Sequence, residues 1–244
     1  MDPFAFPPLA ALLDTAYAAL MTLSATLEPF TAASAALAVV LVTLLVRAAL
    51  IPTGVAQAKA EQLRSRLAPR LRELQKKHKG DRERLQRETM QLYRDENASP
   101  LAGCLPILIQ APIVGLLYSL FLHTTIAGHP NALLAETLWG VPLGSTLLGS
   151  LTNGDPAGII VCGAIVVVIA LVGEITRRAF RFTAPAGDTA LPAGAGGLLG
   201  ALQFATAAVA VFVPLAAGLY LVVTVSWTLA QRLVLKRAYP APRP

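Results

Sequence analysis

The chain has 244 residues, 55% hydrophobic and only 14% charged, with a mean hydropathy of +0.60. Soluble domains carry about 25% charged residues, so this composition excludes an ordinary soluble protein and indicates an all-α polytopic membrane protein. The net charge of +6 does not argue for DNA, because all twenty lysines and arginines fall in four places: Arg47 alone, twelve from Lys59 to Arg94, three from Arg177 to Arg181 and four from Arg232 to Arg243. Basic clusters flanking apolar runs mark cytoplasmic loops.

Residues 1–32 are apolar but acidic, with Asp2, Asp14 and Glu28. Leu13, Tyr17, Leu20 and Leu27 fall near one helical face, which predicts an interfacial helix on the outer surface. The N-terminus lacks a basic region before a short apolar core, so no signal peptide is expected. Residues 33–55 form the first predicted span, ended by Pro52 and Gly54. Arg47 lies in its inner part, after eighteen uncharged residues that follow Glu28, with Thr43 one turn outward on the same face.

Residues 56–97 are the only long polar region. Leu63, Leu67, Leu71 and Leu74 recur at helical spacing, and Pro69 is expected to interrupt or kink that helix. Gly80 is expected at a helix C′ position and Asp81 at an N-cap. Leu85, Met90, Leu92 and Tyr93 mark a second helix, so the region reads as a cytoplasmic amphipathic hairpin. It is net positive, with Arg64, Arg72, Lys76, Lys77 and Arg84 as candidate surface contacts to anionic lipid or ribosomal RNA.

Residues 98–123 are the second span, broken by Pro106 and Pro112 with Gln110 between them. Residues 124–156 are an outer loop without lysine or arginine. Within it, residues 137–151 are apolar but interrupted by glycine and proline, and are expected to be interfacial or re-entrant. Residues 157–174 are the third span and 175–197 a Gly/Ala/Pro-rich inner loop. Forty-three uncharged residues from Thr189 to Gln231 hold two more spans, 198–213 and 214–235, turning near Pro214. Residues 236–244 are a basic tail. The expected topology is five spans in the cell (plasma or inner) membrane, N-terminus outside and C-terminus cytoplasmic.

No nucleotide loop, metal motif or nucleophile–base set is present, so neither an enzyme nor a cofactor is expected. His78, His123 and His129 have no evident partner and read as solvated, and Cys104 and Cys162 read as packing residues. The polar decoration of the spans is what remains: Thr43 and Arg47 on the first, Gln110 on the second, Gln203 and Thr206 on the fourth, and Tyr220, Thr224, Thr228 and Gln231 on the fifth. Single threonines and glutamines in spans commonly serve interhelical hydrogen bonds. A guanidinium with no carboxylate inside any span points instead to a wet cavity open to the cytoplasm. Glu174 is the nearest acidic candidate in depth.

The segments LLVRAALIP around Arg47, the basic hairpin, LYRDENASPLAGCLPILIQAPIVGLLYSLF from Leu92 to Phe121 and VPLAAGLYLVVTVSWTLAQR from Val213 to Arg232 resemble the YidC/Oxa1/Alb3 membrane protein insertases, in a short form lacking the large outer domain. The resemblance implies five helices around a hydrophilic groove, closed to the outside and open to the cytoplasm and lipid. Arg47 and Gln110 match the family's arginine and glutamine, and Gln203, Tyr220, Thr224 and Thr228 complete the expected groove. Leu221 and Thr224-Val225 depart from the family pattern and make the fifth-span wall less polar. Nascent membrane proteins would be the partners, with anionic lipids, the ribosome and the Sec translocon as further candidates. A small-solute or anion transporter and a membrane-protein assembly scaffold are the competing readings.

Overall fold

The computed structural model describes residues 7–96, 105–126, 128–179 and 204–238, and the side chains of Arg64, Gln110 and a few others in these stretches lie outside the description. Nine α-helices occur among the described residues: α1 (Pro7–Leu27), α2 (Ser34–Ala49), α3 (Ile51–Lys77), α4 (Arg82–Asp95), α5 (Leu105–Leu122), α6 (Leu147–Asn153), α7 (Pro156–Ala179), α8 (Ala205–Ala210) and α9 (Leu215–Ala238). Between α5 and α6 lie two small antiparallel pairs, β1 (Thr125–Ile126) with β2 (His129–Pro130) and β3 (Thr137–Leu138) with β4 (Val141–Pro142). By length and composition Ala10–Leu27, Pro156–Ala179 and Leu215–Leu235 could each cross a membrane, and α2 with the start of α3 (to Ala60) is long and apolar enough as a pair, bent by 50° between them. α5 adds eighteen uncharged residues.

The bend has a local cause. Residues 33–55 read as one span, but the helix breaks at Leu50. Pro52 has no N–H to donate back to Ala48, and its ring crowds that carbonyl. It sits instead in the first turn of α3, where a missing donor is harmless. Thr53 Oγ1 donates to the Leu50 carbonyl at 2.6 Å, and the Gly54 N–H reaches the same oxygen at 3.2 Å. The hairpin helix therefore starts at Ile51 and not at residue 56.

The α3–α4 hairpin is fastened at both ends. His78 Nε2 pairs with Glu88 Oε2 at 2.9 Å near the turn, and Arg70 Nη1 donates to Glu96 Oε1 at 2.7 Å near the base. Asp81 is the N-cap, accepting from the Arg84 N–H at 2.9 Å. Three expectations change here. His78 is buried and paired, not solvated. Pro69 does not interrupt α3, which runs through it. Gly80 is not among the positive-φ glycines, so α3 ends without a left-handed cap. Leu67 is buried, whereas Met90 is exposed.

The core lies at the end of the bundle away from this hairpin. Small residues on α2 (Ser34, Ala35, Ala36, Ala38) let its backbone approach its neighbours closely. Phe121, Leu120, Ile126, Leu133 and Leu143 are almost fully buried under the loop. Asn131 Nδ2 donates to the Leu120 and His123 carbonyls at 2.7 and 2.8 Å, satisfying acceptors that the end of α5 leaves open. The Leu215 and Ala216 N–H groups donate to the Ser145 and Leu143 carbonyls at 2.8 and 2.9 Å, which ties the loop to the first turn of α9. Residues 137–151, expected as an interfacial or re-entrant stretch, form the β3–β4 hairpin and most of α6. The turn between β3 and β4 is Trp139-Gly140, both left-handed, with φ of 53° and 82°.

α1 packs on this loop. Asp14 Oδ1 meets His129 Nε2 at 2.9 Å, the Ala132 N–H donates to Tyr17 OH at 3.0 Å, and the Tyr17 and His129 rings lie 5.1 Å apart. His129 is thus partnered, against the sequence expectation. Its hydrogen bond to Asp14, aided by the Pro130 carbonyl, raises its pKa above the ordinary 6.5. A raised folded-state value means the tether is fully present below the unfolded value and is lost as pH rises through the folded one. Hydrogen exchange in α1, corrected for intrinsic rates, is therefore expected to be faster at about pH 8.5 than at about pH 5.5. His129→Ala should abolish that difference; a pH effect surviving in the variant would place its origin elsewhere.

Candidate functional site

Arg47 occupies the last turn of α2, in a helix otherwise without charge. Its side chain is half-buried and makes no hydrogen bond or ion pair among the described residues. The expected acidic candidate is committed elsewhere. Glu174 accepts two hydrogen bonds from Arg177, both at 2.7 Å, and one from Arg178 at 2.6 Å. Separation in sequence explains this: i,i+3 and i,i+4 partners on one helix reach each other with little ordering of the chain.

Arg47 lines a narrow slot with Thr43, Val46, Leu50, Val114, Leu117 and Tyr220. Three helices build it: α2, α5 and α9. Of the expected site residues, Thr43, Arg47 and Tyr220 converge here. Thr43 is buried, and its Oγ1 is already used, donating to the Val39 carbonyl at 2.7 Å. Tyr220 is buried, with its ring 6.0 Å from that of Phe121. Position 110 lies one turn before Val114 on the same helical face of α5, but its side chain lies outside the described residues. Gln203 lies outside them entirely.

The slot is narrower and more apolar than a hydrophilic groove, and it encloses no water-sized space. Four of its seven walls are aliphatic, leaving the guanidinium and the tyrosine as its main polar surface. Further along α9 the polar stripe turns inward. Thr228 Oγ1 donates to the Thr224 carbonyl at 2.8 Å, while Thr224 Oγ1 is buried with no hydrogen-bond partner among the described residues. An orphaned buried hydroxyl is uncommon and marks a place where a polar ligand or water would be favoured.

Sequence reasoning did not anticipate how Gln231 is used. Trp227 Nε1 donates to Gln231 Oε1 at 3.1 Å, and Gln231 Nε2 lies so close to Gly54 that a Cβ there would meet it. Gly54 thus has a packing role besides the span-end role expected of it: it admits the glutamine of α9 against the first turn of α3. The basic side chains Arg72, Lys76, Lys77 and Arg84 are all exposed on the hairpin. No group of three or more potential metal ligands occurs among the described residues.

The sequence profile of the family described as 60Kd inner membrane protein matches residues 26–242. Among individual proteins, a membrane protein insertase YidC of Clostridium perfringens is 40% identical over 99 residues, covering 41% of this chain and 42% of its own. The YidC of Oceanobacillus iheyensis is 41% identical over 92 residues, 36% of each chain. That of Pasteurella multocida is 42% identical over 93 residues, 38% of this chain and 17% of its own. The matched stretches thus span less than half the length of these relatives.

Proposed function

The chain belongs to the 60Kd inner membrane protein family, and from that premise we propose that it is a membrane protein insertase. Its substrates are apolar segments of nascent membrane proteins, received from the cytoplasm and released sideways into lipid. The observation that carries this reading is Arg47: a half-buried cation in an uncharged helix, with no carboxylate partner among the described residues, facing a seam between three helices.

In this reading five spans enclose the groove: α2 with the start of α3, α5, α7, the segment ending in α8, and α9. The positive-inside rule puts the basic hairpin, Arg177–Arg178 and the tail in the cytoplasm, and the loop between α5 and α7 outside. The N-terminus is outside. α1 lies along the outer face, because Asp14 and Tyr17 in its middle touch the outer loop. It is not counted as a span, although its length and composition would permit one.

The mechanism follows from charge and depth. Arg47 attracts the acidic or polar flank of an incoming segment into the seam, where a partly dry environment strengthens the attraction over its value in water. The seam parts between α5 and its neighbours, with Thr43, Gln110, Gln203, Tyr220, Thr224 and Thr228 offering polar contacts. This shortens the low-dielectric path that the flank must cross. The segment then leaves into lipid, driven by burial of about 20 apolar residues, so no nucleotide is needed at this site. Exposed Arg72, Lys76, Lys77 and Arg84, with Arg64, hold the hairpin near anionic headgroups.

A photocrosslinker placed in turn at positions 43, 47 and 110 tests this against a ribosome-stalled single-span nascent chain. Adducts at all three positions are expected, lost when the segment is replaced by a soluble one. No adduct at 43 or 47 would remove the groove from the path.

A further inference from the structure

We propose that the β3–β4 turn is a bilayer anchor, with the Trp139 indole seated in the lipid headgroup layer on the side opposite the α3–α4 hairpin. The inference needs only that the chain resides in a membrane; it does not depend on insertion.

Trp139 combines two features that rarely occur together. It is 80% exposed, and its φ is 53° in a two-residue turn. Such turns favour asparagine, aspartate or glycine at that position, because the left-handed region is strained for a bulky side chain. Strain at a solvent-facing tryptophan buys nothing in water. Strained positions of this kind cluster where a structure serves a function beyond folding, such as holding a ligand.

The turn is also tied down on both sides and held at a defined height. Leu138 and Val141 on either side of it are buried. Just beyond, Leu143 and Ser145 are hydrogen-bonded to the first turn of α9, whose Leu215–Leu235 stretch is apolar and long enough to cross a bilayer. The start of α2 touches β3, and α7 touches β4. The turn therefore stands level with the ends of spanning helices, the depth at which tryptophan is favoured.

What surrounds it selects lipid over a protein partner. The Leu148 N–H donates to the Val211 carbonyl, joining α6 to the turn before α9. Leu148 and Leu151 on α6, and Phe212 in that turn, are exposed and aliphatic or aromatic. Phe30, in the turn leading into α2, is 83% exposed. The whole stretch from Thr124 to Pro156 contains no lysine or arginine and only Glu136 and Asp155 as acids. An apolar rim at span ends, in a loop with no lysine or arginine and only two carboxylates, fits the headgroup–acyl boundary.

The chain has two tryptophans, Trp139 and Trp227, so each can be observed alone. The full chain carrying Trp227→Phe is reconstituted into phosphatidylethanolamine–phosphatidylglycerol vesicles. These contain phosphatidylcholine brominated either near the headgroup or near the chain end. Trp139→Asn supplies the Trp227 signal as a control and keeps a residue that tolerates positive φ. The expected result is loss of Trp139 emission under shallow bromines, a smaller loss under deep ones, and little quenching by aqueous iodide. Quenching by iodide alone overturns the proposal, as does quenching by deep bromines alone. Quenching by none of the three also overturns it and puts a protein surface over the turn.

Discussion

Arg47→Ala is expected to cut insertion of a single-span substrate with a short acidic outer tail by about ten-fold to a hundred-fold, while Arg47→Lys keeps most of it. The size comes from charge in an intermediate medium. Two unit charges at about 4 Å interact by about 1 kcal/mol in water and about 4 kcal/mol at an effective dielectric constant of about 20. The half-buried guanidinium sits between those limits, and about 1.4 kcal/mol is a factor of ten in rate. Lysine preserves the charge and loses only the planar fork, which matters where two oxygens are gripped at once. A reconstituted insertion assay with acidic-tailed and neutral-tailed substrates measures it. Alanine matching wild type on the acidic tail would end the electrostatic role. An equal loss on both tails would assign Arg47 to folding.

Phe121→Ala is expected to destabilise the fold by about 3 kcal/mol or more, while Leu122→Ala, one residue along the same helix, changes it by less than about 1 kcal/mol. Phe121 is 1% exposed, beneath the loop and beside the Tyr220 ring; Leu122 is 41% exposed. Removing the phenyl group leaves a cavity whose lining loses contacts whether the surroundings are water or lipid. Such a loss is a large part of a typical total of about 5–15 kcal/mol. Thermal unfolding in detergent micelles reads both variants. Equal midpoints for the pair would mean that the loop end is not the stabilising core.

The helices were legible because each apolar run is long and bounded by proline, glycine or charge. The Leu63–Leu67–Leu71–Leu74 face and the Asp81 cap needed only local rules. Boundaries were less legible. Pro52 marked an end, but whether chain direction changes there or the helix merely stops depends on how α3 turns away from α2, which Gln231 against Gly54 helps to define. The histidines were misread for a different reason. His129 meets Asp14 across 115 positions in sequence, and no local pattern reveals a partner so distant. Residues 137–151 carried hairpin information in Trp139-Gly140, yet tryptophan is a poor turn former and masked it. Arg47 was conspicuous by the uncharged residues around it. The aliphatic character of its surroundings was not, because Val114, Leu117 and Leu50 look like any other span residues until three helices bring them together.

Leu50 is both a wall of the slot and the joint from which α3 departs. α3 has 27 residues, which makes it about 40 Å long at about 1.5 Å per residue. A swing of about 10° about that joint would sweep the far tip through about 7 Å but shift a side chain about 5 Å from the pivot by less than about 1 Å. The arm is long on one side and very short on the other. Any swing of the hairpin about that joint would therefore carry its tip through a wide arc while leaving the seam beside Arg47 nearly unchanged.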